Sequence, residues 1–221
     1  MKRISTFTLA LLVLGAASAA EPSLGVKLYM IDPDKQLIND DFAGGPSKEW
    51  RVGKGKWEKI DNATKGTQVA ADNHAATLRR PVNFRNGVIQ YRFRFDDGKL
   101  HTLSLNDSKG HVCRVKFTPT GFTVQKDDHD KDGPDKAEIL GKCDTPLKAG
   151  EWHQVTVEFT GPEILARIGA KAAYGKSKAI DVDKTNVGLT VVGDGVSFKD
   201  FQAWSGIPVK DWERNRSLFA K

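Results

Sequence analysis

The chain has 221 residues, with 34 lysines and arginines against 28 aspartates and glutamates, so its formal net charge is +6. This length suits one sizeable domain with its own core. The basic excess is mild and no basic block accompanies it, which argues against a nucleic-acid partner and leaves an anionic glycan open.

The first 20 residues have the three parts of a secretory signal. Lys2 and Arg3 supply the positive start, residues 7–15 form an apolar run, and Ala-Ser-Ala supplies the small residues before a cleavage point. The apolar run is well short of the roughly 20 residues that a membrane-spanning helix needs. We therefore predict cleavage after Ala19 or Ala20, export to the periplasm or the extracellular space, and no membrane insertion of the mature chain.

Alternation of apolar and polar residues predicts strands through most of the mature chain. Residues 87–95 show it most clearly, with Ile89 and Tyr91 on one side and Gln90 and Arg92 on the other, the period of a half-buried strand. The next strands are predicted at residues 100–106, 111–117 and 122–125. Short glycine-bearing turns separate these segments, so we predict a four-stranded antiparallel meander.

Later segments complete an all-β pattern. Further strands are predicted at residues 152–159, 163–168, 187–192 and 196–204. Pro208 opens a short terminal helix, on which Trp212 and Phe219 share nearly one face. Many short strands with little helix favour a jelly-roll sandwich of two antiparallel sheets. The predicted parts are a signal (1–20), a lead-in segment (21–39), a sandwich domain (40–206) and a helical tail (207–221).

Two cysteines, Cys113 and Cys143, leave two interpretations open. In an exported protein they could form a disulfide. Alternatively, Cys113 is a buried thiol, because it alternates with Val115 and Phe117 on one face of a predicted strand. Sequence spacing does not decide between the two interpretations, since a disulfide requires a specific geometry.

Several segments resemble concanavalin A-like and laminin-G-like jelly-roll domains. AGEWHQVTVEF at residues 149–159 is similar to a recurring strand of those domains, and VGLTVVGDGVSFKDFQAW at residues 187–204 is similar to their closing pair of strands. DDFAGGPSKEWRVGKGKWEKID at residues 40–61 resembles the start of bacterial secreted 3-keto-disaccharide hydrolase-like domains. The resemblance implies a concanavalin A-like jelly roll and, through the last group, a glycoside-processing activity.

The chain also departs from those related domains. Gly169 and Ala170 stand where the family's hairpin carries Asp-Gly, and the Glu-x-Asp-x-x-Glu or Glu-x-Asp-x-Glu strand of glycoside hydrolase family sixteen is missing. Enzymes of that family place two carboxylates on one strand face, one as nucleophile and one as acid. Laminarinase-type chemistry is therefore not expected.

The outward face of the predicted meander is our candidate ligand-binding site. We assign six residues to it: Gln90, Arg92, Arg94, Ser104, Asn106 and Arg114. Arginine can hold a carboxylate or sulfate through two hydrogen bonds, while amides and hydroxyls suit sugar hydroxyls. We expect these residues to share one concave face that receives an oligosaccharide or polysaccharide, including an anionic one. The alternative is the ordinary wet face of an antiparallel sheet.

An acid and base pair is needed if the protein processes glycosides. We assign Asp107 and His111 to these roles, because both lie at the turn that precedes a predicted strand, where functional residues often collect. The sequence contains no HExxH or GxSxG motif that would indicate a metalloprotease or a serine nucleophile.

The loop QKDDHDKDGPDK has the start of a calcium-binding pattern. Asp128, Asp130 and Asp132 occupy alternate positions before a glycine, so they are candidate calcium ligands. The twelfth position of the pattern is Ile139 instead of a glutamate, and strands are predicted on both sides where an EF-hand has helices. A charged hairpin loop is the alternative, and we expect no other cofactor.

Three functions remain in view. The leading prediction is an exported carbohydrate-binding protein that uses the polar face of a concave sheet. The second is a glycoside-processing enzyme of the 3-keto-disaccharide hydrolase-like type. The third is a non-catalytic protein-interaction domain of the cell envelope, which an exposed apolar patch would favour and a polar groove would oppose.

Overall fold

The computed structural model of the chain describes residues 25–127 and 136–220. Within them, strands fill two antiparallel sheets, and one short α-helix, α1 (Trp212–Arg216), follows the last strand. The strands are β1 (Ile31–Asp40), β2 (Arg51–Lys54), β3 (Lys56–Ile60), β4 (Ala63–Thr67), β5 (Ala76–Phe84), β6 (Gly87–Phe95), β7 (Gly98–Asn106), β8 (His111–Thr118), β9 (Gly121–Lys126), β10 (Glu138–Asp144), β11 (His153–Thr160), β12 (Glu163–Ile168), β13 (Lys171–Lys176), β14 (Lys184–Gly193) and β15 (Val196–Pro208). The predicted signal at residues 1–20 and the candidate calcium ligands Asp128, Asp130 and Asp132 lie outside the described residues.

The two sheets stack as a sandwich. Sheet I runs in the order β13-β12-β11-β6-β15-β4-β3, with β1 also paired to β15. Sheet II runs in the order β10-β9-β8-β7-β14-β5-β2. The pairings between these strands are antiparallel. The predicted all-β sandwich of two antiparallel sheets, with a short C-terminal helix, is therefore confirmed.

Alternate residues of the strands fill the space between the sheets. On β6, Ile89, Tyr91 and Phe93 are fully buried there. Since successive side chains of a strand point to opposite sides, the residues between them face outwards. His101 on β7 also belongs to this core, where its ring stacks on that of Phe117 with centroids 4.8 Å apart. Burial lowers the pKa of His101 to about 3, so this histidine is neutral and structural.

The predicted four-stranded meander is wrong at its first link. β6 pairs with β11 and β15 in sheet I, whereas β7 pairs with β8 and β14 in sheet II. The link between β6 and β7 is a corner, in which the amides of Asp96 and Gly98 both donate to the carbonyl of Gly195. Gly195 lies in the β14–β15 link, which also passes from one sheet to the other. The strands β7, β8 and β9 are consecutive neighbours, as predicted.

Residues 31–39, predicted as part of a lead-in segment, form a strand instead. β1 pairs with the later half of β15, which is open to it because β4 pairs only with Val196, Ser197 and Phe198. Pro33 and several charged residues interrupt the alternation of β1, which explains its weak sequence pattern. At the other end, β15 extends to Pro208 before α1 begins. In the described part of the chain, no helix is long and apolar enough to span a bilayer.

Both described ends of the chain cover the outer face of sheet I. Glu158 on β11 accepts hydrogen bonds of 2.7 Å from the amides of Tyr29 and Met30. Glu163 on β12 accepts a hydrogen bond of 2.9 Å from the indole of Trp212 in α1. Beneath these segments lies a second apolar cluster of buried residues: Met30, Ile31, Val88, Leu165, Trp204 and Trp212. Sheet I is thus buried on both sides in this region.

The cysteines are free thiols. Cys143 on β10 pairs with Phe122 on β9, which in turn pairs with Phe117 on β8. Cys113 lies four residues away from Phe117 along β8, and adjacent strands are about 4.8 Å apart, so the two cysteines are too distant for a disulfide. The buried-thiol interpretation of Cys113 is correct, and burial raises the pKa of this thiol to about 12.

Candidate functional site

The outer face of sheet II carries polar residues in regular cross-strand rows. In the central row, Arg79 and Ser104 both pair with Gly188 on β14, and Arg114 links Ser104 to Gln125 on β9. The residues that alternate with them along the strands lie in the core. We call this surface the polar face of sheet II and define it by two rows and an asparagine pair: Arg79, Gly188, Ser104, Arg114, Gln125; Thr77, Thr190, Thr102, Lys116, Thr123; and Asn186 with Asn106.

Gly188 lies in the middle of the polar face, between Arg79 and Ser104 in the central row. A Cβ atom at this position would lie 2.6 Å from the Ser104 hydroxyl, and it would also contact the Arg79 and Asn106 side chains at 3.6 and 3.7 Å. The Ser104 hydroxyl donates to the Gly188 carbonyl over 3.3 Å, which ties β7 to β14. Glycine at this position therefore allows the Ser104 hydroxyl to lie against the backbone of β14.

A hydrogen-bond network orders the polar groups beside Gly188. The Asn106 amide nitrogen donates to Asn186 Oδ1 at 2.7 Å and to the Ser104 hydroxyl at 3.3 Å. Asn106 Oδ1 lies 2.5 Å from His111 Nδ1 and can only accept, so this imidazole carries its proton on Nδ1. Asn106 itself is buried, while Asn186 and His111 are half-buried. The buried amide thus fixes the orientation of two side chains that reach solvent.

Asp107 and His111, our candidate catalytic residues, line the same cavity of about 220 Å³. Asp107 Oδ1 accepts hydrogen bonds from the amides of Lys109 and Gly110, at 2.7 and 3.0 Å. These contacts stabilise the β7–β8 turn. Proximity to His111 is as expected, and the catalytic roles of both residues stay predictions.

A second cavity, of about 540 Å³, adjoins the first on the polar face. The two cavities share Arg79 and Asn186 in their walls, so they form one groove across this end of sheet II. The second cavity is also lined by Arg51 and Lys54 of β2 and by Thr77 of β5. Its lining contains several basic groups and no carboxylate, which gives this second cavity a positive potential.

The predicted ligand-binding residues divide between the two opposite outer faces of the sandwich. Ser104, Asn106 and Arg114 lie on the polar face of sheet II, whereas Gln90, Arg92 and Arg94 lie on the outer face of sheet I. The expectation that all six share one face is wrong, because β6 belongs to the other sheet. Gln90 is also fully buried, which does not suit a ligand contact.

The arginines of sheet I have partners within the protein. Arg94 Nε lies 2.7 Å from Asp96 Oδ1, and an Arg92 guanidinium nitrogen lies 3.5 Å from Asp200 Oδ2. The Arg94 guanidinium also lies 5.0 Å from the centroid of the Trp152 ring, in the range of a cation–π contact. These contacts give the arginines of sheet I a structural role.

The sequence analysis missed the basic residues of β2 and β5. Arg79 and Arg80 are adjacent, so the alternation of β5 sends them to opposite sides: Arg79 lies on the polar face, while Arg80 lies 3.8 Å from the buried Asp40. The sequence signal for this placement is the alternation of Thr77 and Arg79 with the core residue Leu78. That signal becomes informative only once the register of β5 against β14 is known.

A further cavity, of about 760 Å³, lies elsewhere, between β10, β13 and the segment after α1. Alanines, lysines and exposed Leu218 dominate its lining, which holds no amide or carboxylate. Its one aromatic hydroxyl, on Tyr174, donates to Glu163 and is therefore committed within the protein. Sugar hydroxyls need both donors and acceptors, so this cavity is a poorer saccharide site than the groove on the polar face.

The described residues contain no group of three histidine, cysteine, aspartate or glutamate side chains arranged to hold a metal ion. The calcium interpretation of Asp128, Asp130 and Asp132 concerns residues outside that set and stays a prediction.

Comparison with known proteins identifies the fold. No protein-family model and no curated protein sequence matches the chain. Among solved structures, a protein of unknown function with a galectin-like fold from Bacillus subtilis matches with a TM-score of 0.63 and 10% identity, covering 80% of this chain and 99% of that one. Carbohydrate-binding module CBM66 from Bacillus subtilis matches with a TM-score of 0.59 and 13% identity, covering 71% of this chain and 96% of that one. The β-glucanase of Bacillus licheniformis matches with a TM-score of 0.59 and 6% identity, covering 78% of this chain and 99% of that one. The protein therefore has the concanavalin A-like jelly-roll fold, as the sequence resemblance predicted.

Proposed function

We propose that this protein binds carbohydrate through the polar face of sheet II. The observation that supports the proposal is the groove in which two cavities meet at Arg79 and Asn186. Its walls offer amides, hydroxyls and cations in fixed positions, which are the groups that hold sugar hydroxyls and acidic substituents.

Preorganisation supports this assignment. Asn106 is held by three hydrogen bonds, to Ser104, Asn186 and His111, so the polar groups around it lose little freedom when a ligand arrives. In this arrangement Asn186 and His111 contact the saccharide directly, while Asn106 positions them.

The structural neighbours point to the same class of ligand. One of them is a carbohydrate-binding module and another a β-glucanase, by their own descriptions. Fold alone does not establish function, so we take from them only the saccharide class and rest the site on the residues of this chain. The N-terminal secretory pattern places this binding outside the cytoplasm in our proposal.

A glycoside-processing activity is the second candidate, because Asp107 and His111 line one cavity of the groove. Against it, Asp107 Oδ1 already accepts two backbone hydrogen bonds within its own turn. The polar character of the groove also makes a protein-interaction domain a weaker proposal.

The test is saccharide binding by the mature protein and two variants, measured by isothermal titration calorimetry against neutral and acidic oligosaccharides. We expect Asn186→Ala to weaken binding by about tenfold, since about 1.4 kcal/mol corresponds to one hydrogen bond lost in the groove. Arg92→Ala, on the opposite face, is the control and should bind as the parent does. Loss of binding in the control with full binding by Asn186→Ala would move the site to sheet I.

A further inference from the structure

We infer that the saccharide is anionic and that its carboxylate or sulfate lies between Arg51 and Arg79 at the β2–β5 end of the groove. This inference rests on the proposed carbohydrate-binding function and names the class of ligand.

The evidence begins with the register of the two strands. Arg51 on β2 pairs directly with Arg79 on β5, and Lys54 pairs with Thr77 on the same strand. Side chains directly opposite each other on antiparallel strands have Cβ atoms about 5 Å apart, and like charges in such a pair repel. Three cations therefore meet at one end of the polar face.

The acids of the described residues do not offset this repulsion. In residues 25–127 and 136–220, no aspartate or glutamate forms an ion pair with Arg51, Lys54 or Arg79. The arginines of sheet I differ, because Arg92 and Arg94 each have an aspartate within 3.5 Å. Within the described residues, the cations of the β2–β5 pair thus lack the carboxylate partner that the arginines of sheet I have. An anionic ligand would supply the missing charge.

The space beside the pair suits one or a few sugar rings. The cavity that Arg51 and Arg79 line has a volume of about 540 Å³, within the range of small-molecule sites. Gly53 allows β2 to pass close to Thr77, since a Cβ atom there would lie 2.5 Å from the Thr77 hydroxyl. Asn186, at the junction with the cavity of about 220 Å³, is available for the hydroxyls of the next ring.

The chemistry of arginine specifies the acidic group. A guanidinium binds a planar carboxylate or a sulfate through paired, charge-assisted hydrogen bonds, and two opposed arginines can hold one oxyanion from both sides. A uronic acid and a sulfate ester both present such an oxyanion, so the arginine pair can recognise either one. The experiment tests the two kinds of saccharide separately.

The experiment is titration calorimetry with three oligosaccharides of equal length: a neutral glucan, a galacturonic acid oligomer and a sulfated galactan oligomer. We compare the parent protein with Arg79→Gln, and with Arg92→Gln as a control that removes the same charge from the opposite face. We expect the parent to bind one acidic oligomer about tenfold or more tightly than the neutral one. Arg79→Gln should weaken acidic binding about 10- to 100-fold and neutral binding at least tenfold less than that, with Arg92→Gln like the parent.

Each alternative outcome has a distinct meaning. Equal binding of neutral and acidic oligomers, unchanged by Arg79→Gln, would overturn the inference and leave carbohydrate binding intact. Equal losses in Arg79→Gln and Arg92→Gln would also overturn it, because they would show an effect of net charge alone. Binding of none of the oligomers by the parent would reject the proposed function itself. Arg51→Gln is the second variant. Thermal unfolding of each variant verifies its fold. Removing one charge from the Arg51–Arg79 pair should not lower the melting temperature, because it relieves a repulsion.

Discussion

The carboxylate of Glu163 on β12 receives the guanidinium of Arg216 through two hydrogen bonds, of 2.6 and 2.9 Å. The same carboxylate accepts hydrogen bonds from the Trp212 indole and the Tyr174 hydroxyl, so one buried acid holds α1 on the outer face of sheet I. The attachment of the C-terminal segment is therefore electrostatic as well as apolar.

We predict that this attachment weakens in acid. Burial by itself raises the pKa of Glu163. Hydrogen bonds from Arg216, Tyr174 and Trp212 lower the pKa by more than burial raises it, so the pKa lies below the ordinary 4.5. A lowered folded-state pKa stabilises the protein above the unfolded pKa, and this contribution is lost as the pH falls from about 4.5 through the folded value. Glu163→Gln should cost about 1–3 kcal/mol at pH 7.

The measurement is thermal unfolding of the parent and Glu163→Gln from pH 7 down to pH 3. The difference between their free energies of unfolding should narrow with acidification, because the parent loses the stabilisation by ionised Glu163 that the variant already lacks. A difference that stays constant over this range would contradict a lowered pKa of Glu163 in the folded protein.

Arg94 should contribute to stability without affecting saccharide binding. Its replacement by alanine leaves the partly buried Asp96 without a 2.7 Å ion pair and removes a cation from the Trp152 ring. We expect Arg94→Ala to lower the free energy of unfolding by about 1–2 kcal/mol. Denaturant unfolding measures this loss, and calorimetry measures binding in the same preparation. Reduced binding by a fully folded Arg94→Ala would contradict the assignment of the site to sheet II.

A side chain in the centre of the polar face should disturb the proposed site. In Gly188→Val the new Cβ atom would lie 2.6 Å from the Ser104 hydroxyl, so Ser104 must move. Asn106 donates to the same hydroxyl, so its hydrogen-bond network is disrupted, and we expect affinity to fall by about tenfold or more. Thr190→Val, on the same strand and face, is the matched control, because it changes polarity without crowding Ser104. Equal affinities for Gly188→Val and the parent would exclude the centre of the polar face from the site.

Thiol reactivity should distinguish the two cysteines. Cys113 is fully buried and burial raises its pKa to about 12, so it should resist a thiol reagent in the native protein. Cys143 is only half-buried and should react. We expect one reactive thiol in the native state, two after denaturation without reductant, and a melting temperature that reductant does not change. Thiols that appear only after reduction would demonstrate a disulfide instead.

The sequence pattern predicted which side of a strand faces the core better than it predicted which strands pair. On β6 it placed Ile89, Tyr91 and Phe93 in the core, and the structure agrees. It paired β6 with β7 because a two-residue link resembles a hairpin turn. The choice between a hairpin and a corner depends on Gly195, almost 100 residues along the chain, whose carbonyl accepts the amides at the corner.

The candidate site also depends on which strands are neighbours. Ser104 and Asn106 were recognised as outward polar residues, but their partners Gly188 and Asn186 come from β14 and are visible only in the register of three strands. Likewise, Gln90 is buried on the outer face of sheet I, between Thr156 of β11 and Gln202 of β15. Local alternation contains no information about neighbours that lie so far along the chain.

The clamping of both described ends onto sheet I also determines how the molecule can be presented. Attachment of residue 220 to a bead, a chip or another domain through a short linker holds sheet I towards the support. The groove of sheet II then points into solution, on the far side of the sandwich. Immobilisation through the C-terminal segment should therefore leave saccharide access unobstructed, whereas coupling through Lys54, which lines the groove, would cover it.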